Sequence, residues 1–451
     1  MVFPTDFTWG AAAASYQIEG AAYEDGKGLS VWDMLCRQPD KIWNGHTGDV
    51  ACDHYHRYEE DIAIMRDLGL KAYRLSIGWP RVLPEGRGAV NEKGLAFYDR
   101  LIDGLLAAGI TPFVTLFHWD FPYELFLRGG WLNPDSADWF ADYARVVVER
   151  FSDRVRHWMT LNEPEVFIGL GHQVGIHAPG LKYGWAEVLR AGHNALLAHG
   201  KSVQVIRAAA KMPPLVGYAP VGTVAYPATD SPADIEAARQ AMFSVSDKTL
   251  FCNVWFADPI FFKRYPEDGL KLFGADAPPV GAGDMDIIAQ PLDFYGVNIY
   301  QGVAVKLGED GRPVIVPHVT GHPQTANRWF ATPECLRWGP RFLYERYKLP
   351  VYITENGLSN VDWVSLDGQV HDPQRIDYTA RHLRALHQAM QDGADVRGYF
   401  HWSILDNFEW AEGYKERFGM VYVDFNTQQR ILKDSALWYK AVIASGGANL
   451  L

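Results

Sequence analysis

The sequence predicts an α/β protein of the (β/α)8 TIM-barrel class with long loops on its active face, and three observations lead there. Short β-rich runs alternate with long amphipathic helical stretches. The runs number eight, as a closed barrel requires. No glycine-rich phosphate loop follows the first of them, whereas the competing open, doubly wound sheet normally carries one.

In chain order the strands are expected over residues 7–13, 71–77, 110–117, 156–161, 215–220, 292–298, 350–354 and 396–402. Two of the intervening helices are legible in detail. One runs from about residue 53 to 68 and is stopped by Gly69. Over 138–151, Trp139, Tyr143, Val146, Val147 and Phe151 recur at helical spacing and form one apolar face, with Arg and Glu opposite. Segments 39–53, 171–185 and 301–333 show neither pattern and are expected to be extended loops over the C-terminal ends of the strands, where loops of such length are usually functional. No internal repeat or low-complexity block divides the chain, so residues 1–451 read as a single catalytic domain.

Composition narrows the function. Hydrophobic residues at 48% and charged residues at 21% describe a globular protein, and no apolar run approaches the roughly 20 residues that span a bilayer. Met1-Val2-Phe3-Pro4-Thr5-Asp6 lacks the basic and long apolar segments of a secretory leader, so a cytoplasmic protein is expected. A net charge of −12 opposes binding to nucleic acid or to anionic membranes and fits a neutral small-molecule substrate. Cys36, Cys52, Cys252 and Cys335 have no CxxC spacing, which favours neither a zinc site nor a disulfide framework. No cofactor is expected, and the sequence leaves monomer and homo-oligomer equally open. The 16 tryptophans include more aromatic surface than core packing usually recruits, and such faces can stack on the C–H face of a sugar.

Two strand tails end in carboxylates. In Val351-Tyr352-Ile353-Thr354-Glu355-Asn356-Gly357 an apolar run delivers Glu355, followed by an Asn-Gly turn signal; in Met159-Thr160-Leu161-Asn162-Glu163-Pro164 the proline disfavours the αR conformation at Glu163 and presents it from a bend. Each Glu alone reads first as a solvated turn residue. As the ends of the fourth and seventh strands, however, they share one face of a barrel. Two such carboxyls in a Trp-rich pocket point to glycoside hydrolysis, in which one acid protonates the leaving oxygen and one carboxylate attacks the anomeric carbon. Their environments must then push the two pKa values apart. Arg74, at the end of the second strand, is the candidate cation that keeps one of them ionised. His54-Tyr55-His56 suggests a metal-dependent hydrolase instead, but on a helix these two histidines point to different faces.

The motifs together resemble the β-glucosidases of glycoside hydrolase family one over nearly the whole chain. They include Phe7-Thr8-Trp9-Gly10, Tyr16-Gln17-Ile18-Glu19-Gly20, Tyr73-Arg74, His118-Trp119-Asp120, Asn162-Glu163-Pro164, Thr354-Glu355-Asn356-Gly357, Asn407-Phe408-Glu409-Trp410, Arg417-Phe418-Gly419 and Lys433-Asp434-Ser435. The resemblance implies a retaining double displacement with Glu355 as nucleophile and Glu163 as acid/base. It implies that Arg74 and Tyr300 hydrogen-bond the nucleophile and that Asn162 donates to the sugar 2-hydroxyl. It further implies glycone contacts from Gln17, His118, Trp119, Trp402, Glu409, Trp410 and Phe418, and an aglycone platform at Trp329. Glu409 stands where relatives acting on 6-phosphorylated sugars carry phosphate acceptors, so a non-phosphorylated β-glucoside is expected, with β-galactosides and β-fucosides as further substrates. A transglycosylating variant and a non-catalytic sugar-binding protein are the alternatives; the latter usually lacks one or both of the carboxylates, and here both are present. The chain departs from the family pattern at Leu75 and Gly78, where Phe and Ser are common, and at Phe330 and Cys335, where Glu and Gly are common. The second pair leaves aglycone preference open.

Overall fold

A computed structural model describes residues 1–450, and Leu451, the last residue of the expected domain, lies outside them. Its centre is a sheet of eight parallel strands: β1 (Thr8–Ala12), β2 (Ala72–Ser76), β3 (Thr111–Phe117), β4 (His157–Asn162), β5 (Leu215–Ala219), β6 (Tyr295–Asn298), β7 (Val351–Asn356) and β8 (Val396–Trp402). They are hydrogen-bonded in the order β5-β4-β3-β2-β1-β8-β7-β6. The two ends of that order meet at a short seam. Asp293 N–H donates to the Val216 carbonyl at 2.7 Å, Asn298 N–H to the Pro220 carbonyl at 3.0 Å, and Gly222 N–H to the Asn298 carbonyl at 2.7 Å. A Cβ on Gly222 would lie 2.4 Å from Ile299 Cγ1, so only glycine permits this approach. Eight strands in a nearly closed ring, with helices between them, make the expected (β/α)8 barrel.

One long helix follows each strand: α1 (His54–Asp67), α2 (Glu92–Ala107), α3 (Ser136–Phe151), α4 (Trp185–Ala209), α5 (Asn253–Phe262), α6 (Cys335–Tyr347), α7 (Pro373–Gln391) and α8 (Asp434–Ala444). In α3, Trp139, Phe140, Tyr143, Ala144, Val147, Val148 and Phe151 are buried, while Val146 sits at the edge of the stripe and is only half-buried. Gly69, at φ 78°, ends the turn after α1 in a conformation that favours glycine. Strands buried on both faces read as near-continuous apolar runs, which is why they were visible by composition more than by alternation. Inside the barrel Phe113, Met159, Phe294, Tyr352 and Phe400 pack together with Trp402 and Phe418. Each such side chain, on full burial, contributes about 1.5–3 kcal/mol of hydrophobic stabilisation.

Segment 39–53 contains only a single 3-10 turn (Trp43–Gly45), and 171–185 is irregular after one π-helical turn (Gly169–Val174). Segment 301–333 differs from the expected loop. Strands Gly302–Leu307 and Pro313–Val316 form an antiparallel hairpin, and the first of them pairs in parallel with Val224–Pro227. The valine-rich runs on either side of Gly308-Glu309-Asp310-Gly311 are a hairpin pattern, with Gly311 in the left-handed region at φ 78°. Among the described residues no helix is long and apolar enough to cross a membrane.

Candidate active site

Both carboxylate-bearing strands are irregular just before their functional ends. The pairing of β4 with β5 shifts register between Met159 and Asn162, and that of β7 with β6 shifts between Ile353 and Glu355. Such bulges re-aim side chains next to functional sites. Here they bring Asn162, Glu163 and Glu355 to the barrel mouth. Beyond Asn162 the chain turns sharply. Pro164 opens a short helix (Pro164–Ile168), and Glu163 takes φ 48°, ψ 66°, a left-handed conformation uncommon outside glycine. Trp119 and Trp410 also have positive φ, at 79° and 51°.

Glu355 is not at a turn. The strand expected to end at residue 354 continues through Asn356, whose amide donates to the Ile299 carbonyl at 2.8 Å and whose Oδ1 accepts from the Tyr399 hydroxyl at 2.9 Å. Gly357, expected as part of an Asn-Gly turn, serves close approach instead: a Cβ there would lie 1.9 Å from the Trp402 carbonyl oxygen. The Asn-Gly pair thus packs the end of β7 against the end of β8.

Glu355 is 4% exposed. Its Oε1 accepts from an Arg74 guanidinium nitrogen at 2.5 Å, and its Oε2 accepts from the Tyr300 hydroxyl at 2.7 Å. Arg74, buried on β2, also donates to Asn162 Oδ1 at 2.6 Å and to Thr115 Oγ1 at 3.2 Å. Because Asn162 Oδ1 also accepts from Asn298 at 3.0 Å, the Asn162 amide nitrogen is fixed on the opposite side, where it donates to His118 Nε2 at 3.1 Å. Glu163, 8% exposed, has one side-chain partner: Asn298 Nδ2 donates to its Oε1 at 2.8 Å.

These surroundings separate the two carboxyls. Burial raises the pKa of each. For Glu355, the Arg74 charge and the Tyr300 hydrogen bond pull it back toward the ordinary range. For Glu163, the negative charge of Glu355 adds to burial, and the carboxyl lies well above that range. Glu163 therefore holds its proton to higher pH than Glu355. His118 is pushed well below its usual pKa, by burial and then by the Arg74 charge, and is a neutral imidazole.

The remaining side chains named from the sequence form a connected floor and wall. Gln17, on the short helix Ser15–Ile18 after β1, donates through Nε2 to Asn407 Oδ1 at 3.0 Å, the Phe408 carbonyl at 2.9 Å and Glu409 Oε2 at 3.3 Å. Its Oε1 is buried without a partner, a free acceptor. Burial, then the charge of Glu355, pushes the Glu409 carboxyl up to about 8. The His118 ring lies nearly parallel to those of Trp402 and Trp410, at centroid distances of 5.7 and 5.8 Å. Trp119 donates from Nε1 to the Asn162 carbonyl at 2.9 Å and lies 4.5 Å from Trp410. At the rim, half-buried Trp329 is 4.9 Å from Tyr300 and 6.0 Å from Phe418. Phe330 turns away from this cluster and packs on His318 at 4.0 Å.

Asn298 carries no role in any of the sequence motifs. It lies at the centre of the site, with its amide nitrogen on both Glu163 and Asn162 and its Oδ1 accepting from the Thr354 hydroxyl at 2.6 Å. A polar residue ending the otherwise apolar run of β6 was the available signal. His54 and His56 are elsewhere and apart. His54 is buried against Asp61 at 2.7 Å, and His56 is exposed beside Asp53 at 2.6 Å and Glu24 at 3.1 Å.

The arrangement can perform acid–base and nucleophilic work on a neutral, hydroxyl-rich ligand: unequal carboxyls at the mouth, a fixed cation behind one of them, aromatic faces beneath, and unsatisfied acceptors around. Comparison with known proteins agrees. Residues 1–448 match the model of glycosyl hydrolase family 1. The chain is 49% identical to a 1,4-beta-D-glucan glucohydrolase of Thermotoga neapolitana, over 99% of each chain. It is 48% identical to beta-glucosidase A of Thermotoga maritima, over 99% of this chain and 98% of that one. The solved structure of the beta-glucosidase from Thermotoga maritima in complex with glucoimidazole superposes with a TM-score of 0.90 at 47% identity, covering 99% of both chains.

Proposed function

The chain belongs to glycosyl hydrolase family 1, and from that premise we propose how its residues divide the work of a retaining β-glucosidase, which is its activity. Glu355 is the nucleophile and Glu163 the acid/base. The glucosyl ring rests over Trp402, with its hydroxyls met by Gln17, His118 and Glu409 and with Trp119, Trp410 and Phe418 closing the pocket. The Glu355 carboxylate attacks the anomeric carbon as the Glu163 proton passes to the departing oxygen, leaving a covalent glucosyl-enzyme and an ionised Glu163. Glu163 then takes a proton from water, which attacks the anomeric carbon and releases Glu355; glucose leaves with its configuration retained. Asn162 holds the 2-hydroxyl with the amide hydrogen not given to His118.

One observation carries the assignment of roles. Both oxygens of Glu355 accept from strong donors, Arg74 and Tyr300, whereas Glu163 meets only the Asn298 amide and feels the charge of Glu355. The ionised group is the one that can attack, and the protonated group is the one that can donate. Retention further requires a carboxyl separation of about 5–5.5 Å.

Aglycones rest on Trp329. A carboxyl at Glu409, hydrogen-bonded by Gln17, offers a 6-phosphate no cation to pair with, so the substrates are unphosphorylated, and β-galactosides and β-fucosides are accepted as well. We read residues 1–451 as one catalytic domain, supported by the family match, and place the enzyme in the cytoplasm, supported by four buried, unpaired cysteines. Replacing Glu355 by Gly tests the central role. Turnover of aryl β-glucosides should collapse, and added azide should restore product in the α configuration; activity persisting without azide would contradict the assignment.

A further inference from the structure

Glu165, two residues beyond Glu163, is a carboxyl in an expensive place. It is 1% exposed, and burial pushes its pKa up to about 8, so it is neutral at neutral pH. Its Oε2 accepts the Val221 backbone N–H at 3.2 Å, and its Oε1 has no partner. No step of glycoside hydrolysis described above uses it.

Its position in the hydrogen-bond pattern is informative. Val221 belongs to the seam where the barrel closes and bridges Asn298 in parallel. Around that bridge Asn298 N–H donates to Pro220 and Gly222 N–H donates to Asn298. Asn298 in turn donates through its side chain to Glu163, and the Glu163 N–H donates to the Ala219 carbonyl at 2.8 Å. The bonds form a closed ring that leaves Glu163, crosses the seam, and returns to the Glu163 carboxyl. Glu165 supplies the side-chain link by which the turn after β4 grips that seam.

The grip has something to hold. A left-handed conformation outside glycine costs on the order of 1–3 kcal/mol and persists only where the surroundings over-determine it. Relaxation of φ at Glu163 toward the extended region, which Pro164 favours, would swing the carboxyl off Asn298 and away from a leaving group. We propose that Glu165 is a positioning residue for proton donation by Glu163, an inference that rests on the acid/base role assigned above.

The test compares leaving groups. A 2,4-dinitrophenyl β-glucoside departs without a proton, whereas an alkyl β-glucoside requires one. Glu165→Leu removes the acceptor for Val221; Glu165→Asp keeps the carboxyl but shortens its reach; Glu165→Gln keeps an oxygen in place. Displacement of a catalytic group by about 1 Å can lose on the order of 100-fold. For Leu and Asp we expect kcat/KM on the alkyl glucoside to fall about 10- to 100-fold further than on the dinitrophenyl glucoside, while Gln stays within about 3-fold of the parent on both. Equal losses on the two substrates, or no loss in the Asp variant, overturn the proposal. If the Leu variant does not fold, the Asp variant decides. Glu163→Ala measured alongside separates the two layers: selective loss there but not in the Glu165 variants sinks the positioning role alone, and its absence in Glu163→Ala sinks the acid assignment itself.

Discussion

Tyr300→Phe removes one oxygen from the site and leaves the ring, so packing against Trp329 at 4.9 Å is preserved. What is lost is the hydroxyl donated to Glu355 Oε2 at 2.7 Å, a hydrogen bond that favours the ionised carboxyl. Hydrogen bonds to charged groups contribute about 1.5–3 kcal/mol, and one pKa unit corresponds to about 1.36 kcal/mol, so the Glu355 pKa should rise by roughly 1–2 units. Arg74 remains on Oε1, which is why the carboxylate survives and the effect is a shift and not an abolition. Only ionised Glu355 attacks, so the acid limb of kcat/KM moves to higher pH by that amount, and activity below the limb falls about 10- to 100-fold. A 2,4-dinitrophenyl β-glucoside is the appropriate substrate, because its departure does not depend on the protonation of Glu163. An acid limb that stays in place, or moves to lower pH, would refute the view that Tyr300 keeps the nucleophile ionised.

Glu163→Ala should retain glycosylation by dinitrophenyl glucosides, lose alkyl glucosides, and lose the alkaline limb of the pH profile, all readable from kcat/KM against pH. Glu165→Gln should change stability with a defined sign. The folded pKa of about 8 lies above an unfolded value of about 4.3, so the parent has the full benefit of this group below pH 4 and loses it as pH rises through 8. Chemical denaturation should therefore find parent and variant equal near pH 4 and the variant more stable by an amount that grows to at most about 5 kcal/mol at pH 8. Lys433 is buried between Asp362 at 2.6 Å and Asp406 at 2.7 Å, next to Arg375 and Arg417. Lys433→Met leaves both carboxylates short of a partner and should cost about 3–5 kcal/mol, read from denaturant midpoints.

How much of this was legible in the sequence depended on what each feature needed. The barrel strands are short, mostly apolar runs, and that property is local. The hairpin within 301–333 carried a local signal in its valine-rich runs about Gly308 and Gly311 but none of a core strand, since Val314 and Ile315 are exposed, and its pairing with Val224–Pro227 is remote in the chain. Glu163 was readable as a bend because Pro164 restricts its neighbour directly. Glu355 was readable only as a residue type after a strand; the bulge that aims it depends on register with β6, which no local pattern encodes. Gln17, His118 and Glu409 came from motif resemblance, since an isolated polar residue near a strand end has no periodicity to betray it. Asn298 and Glu165 went unassigned for the same reason, their meaning residing in partners more than 50 residues away. Lys433-Asp434-Ser435 was visible as a motif, but its work, holding the loops after β7 and β8 together, appears only once Asp362 and Asp406 converge on it.

Covalent capture of the first intermediate tests the mechanism most directly. A 2-deoxy-2-fluoro β-glucoside with a dinitrophenolate leaving group slows both steps by destabilising the oxocarbenium-like transition state, and the good leaving group lets the first outrun the second. Mass spectrometry of the proteolysed enzyme should then find one fluoroglucosyl group, carried by the peptide that contains Glu355, together with loss of activity in proportion to labelling. A label on Glu163 or on another peptide, or turnover with no covalent adduct, would contradict the roles assigned to the two carboxyls.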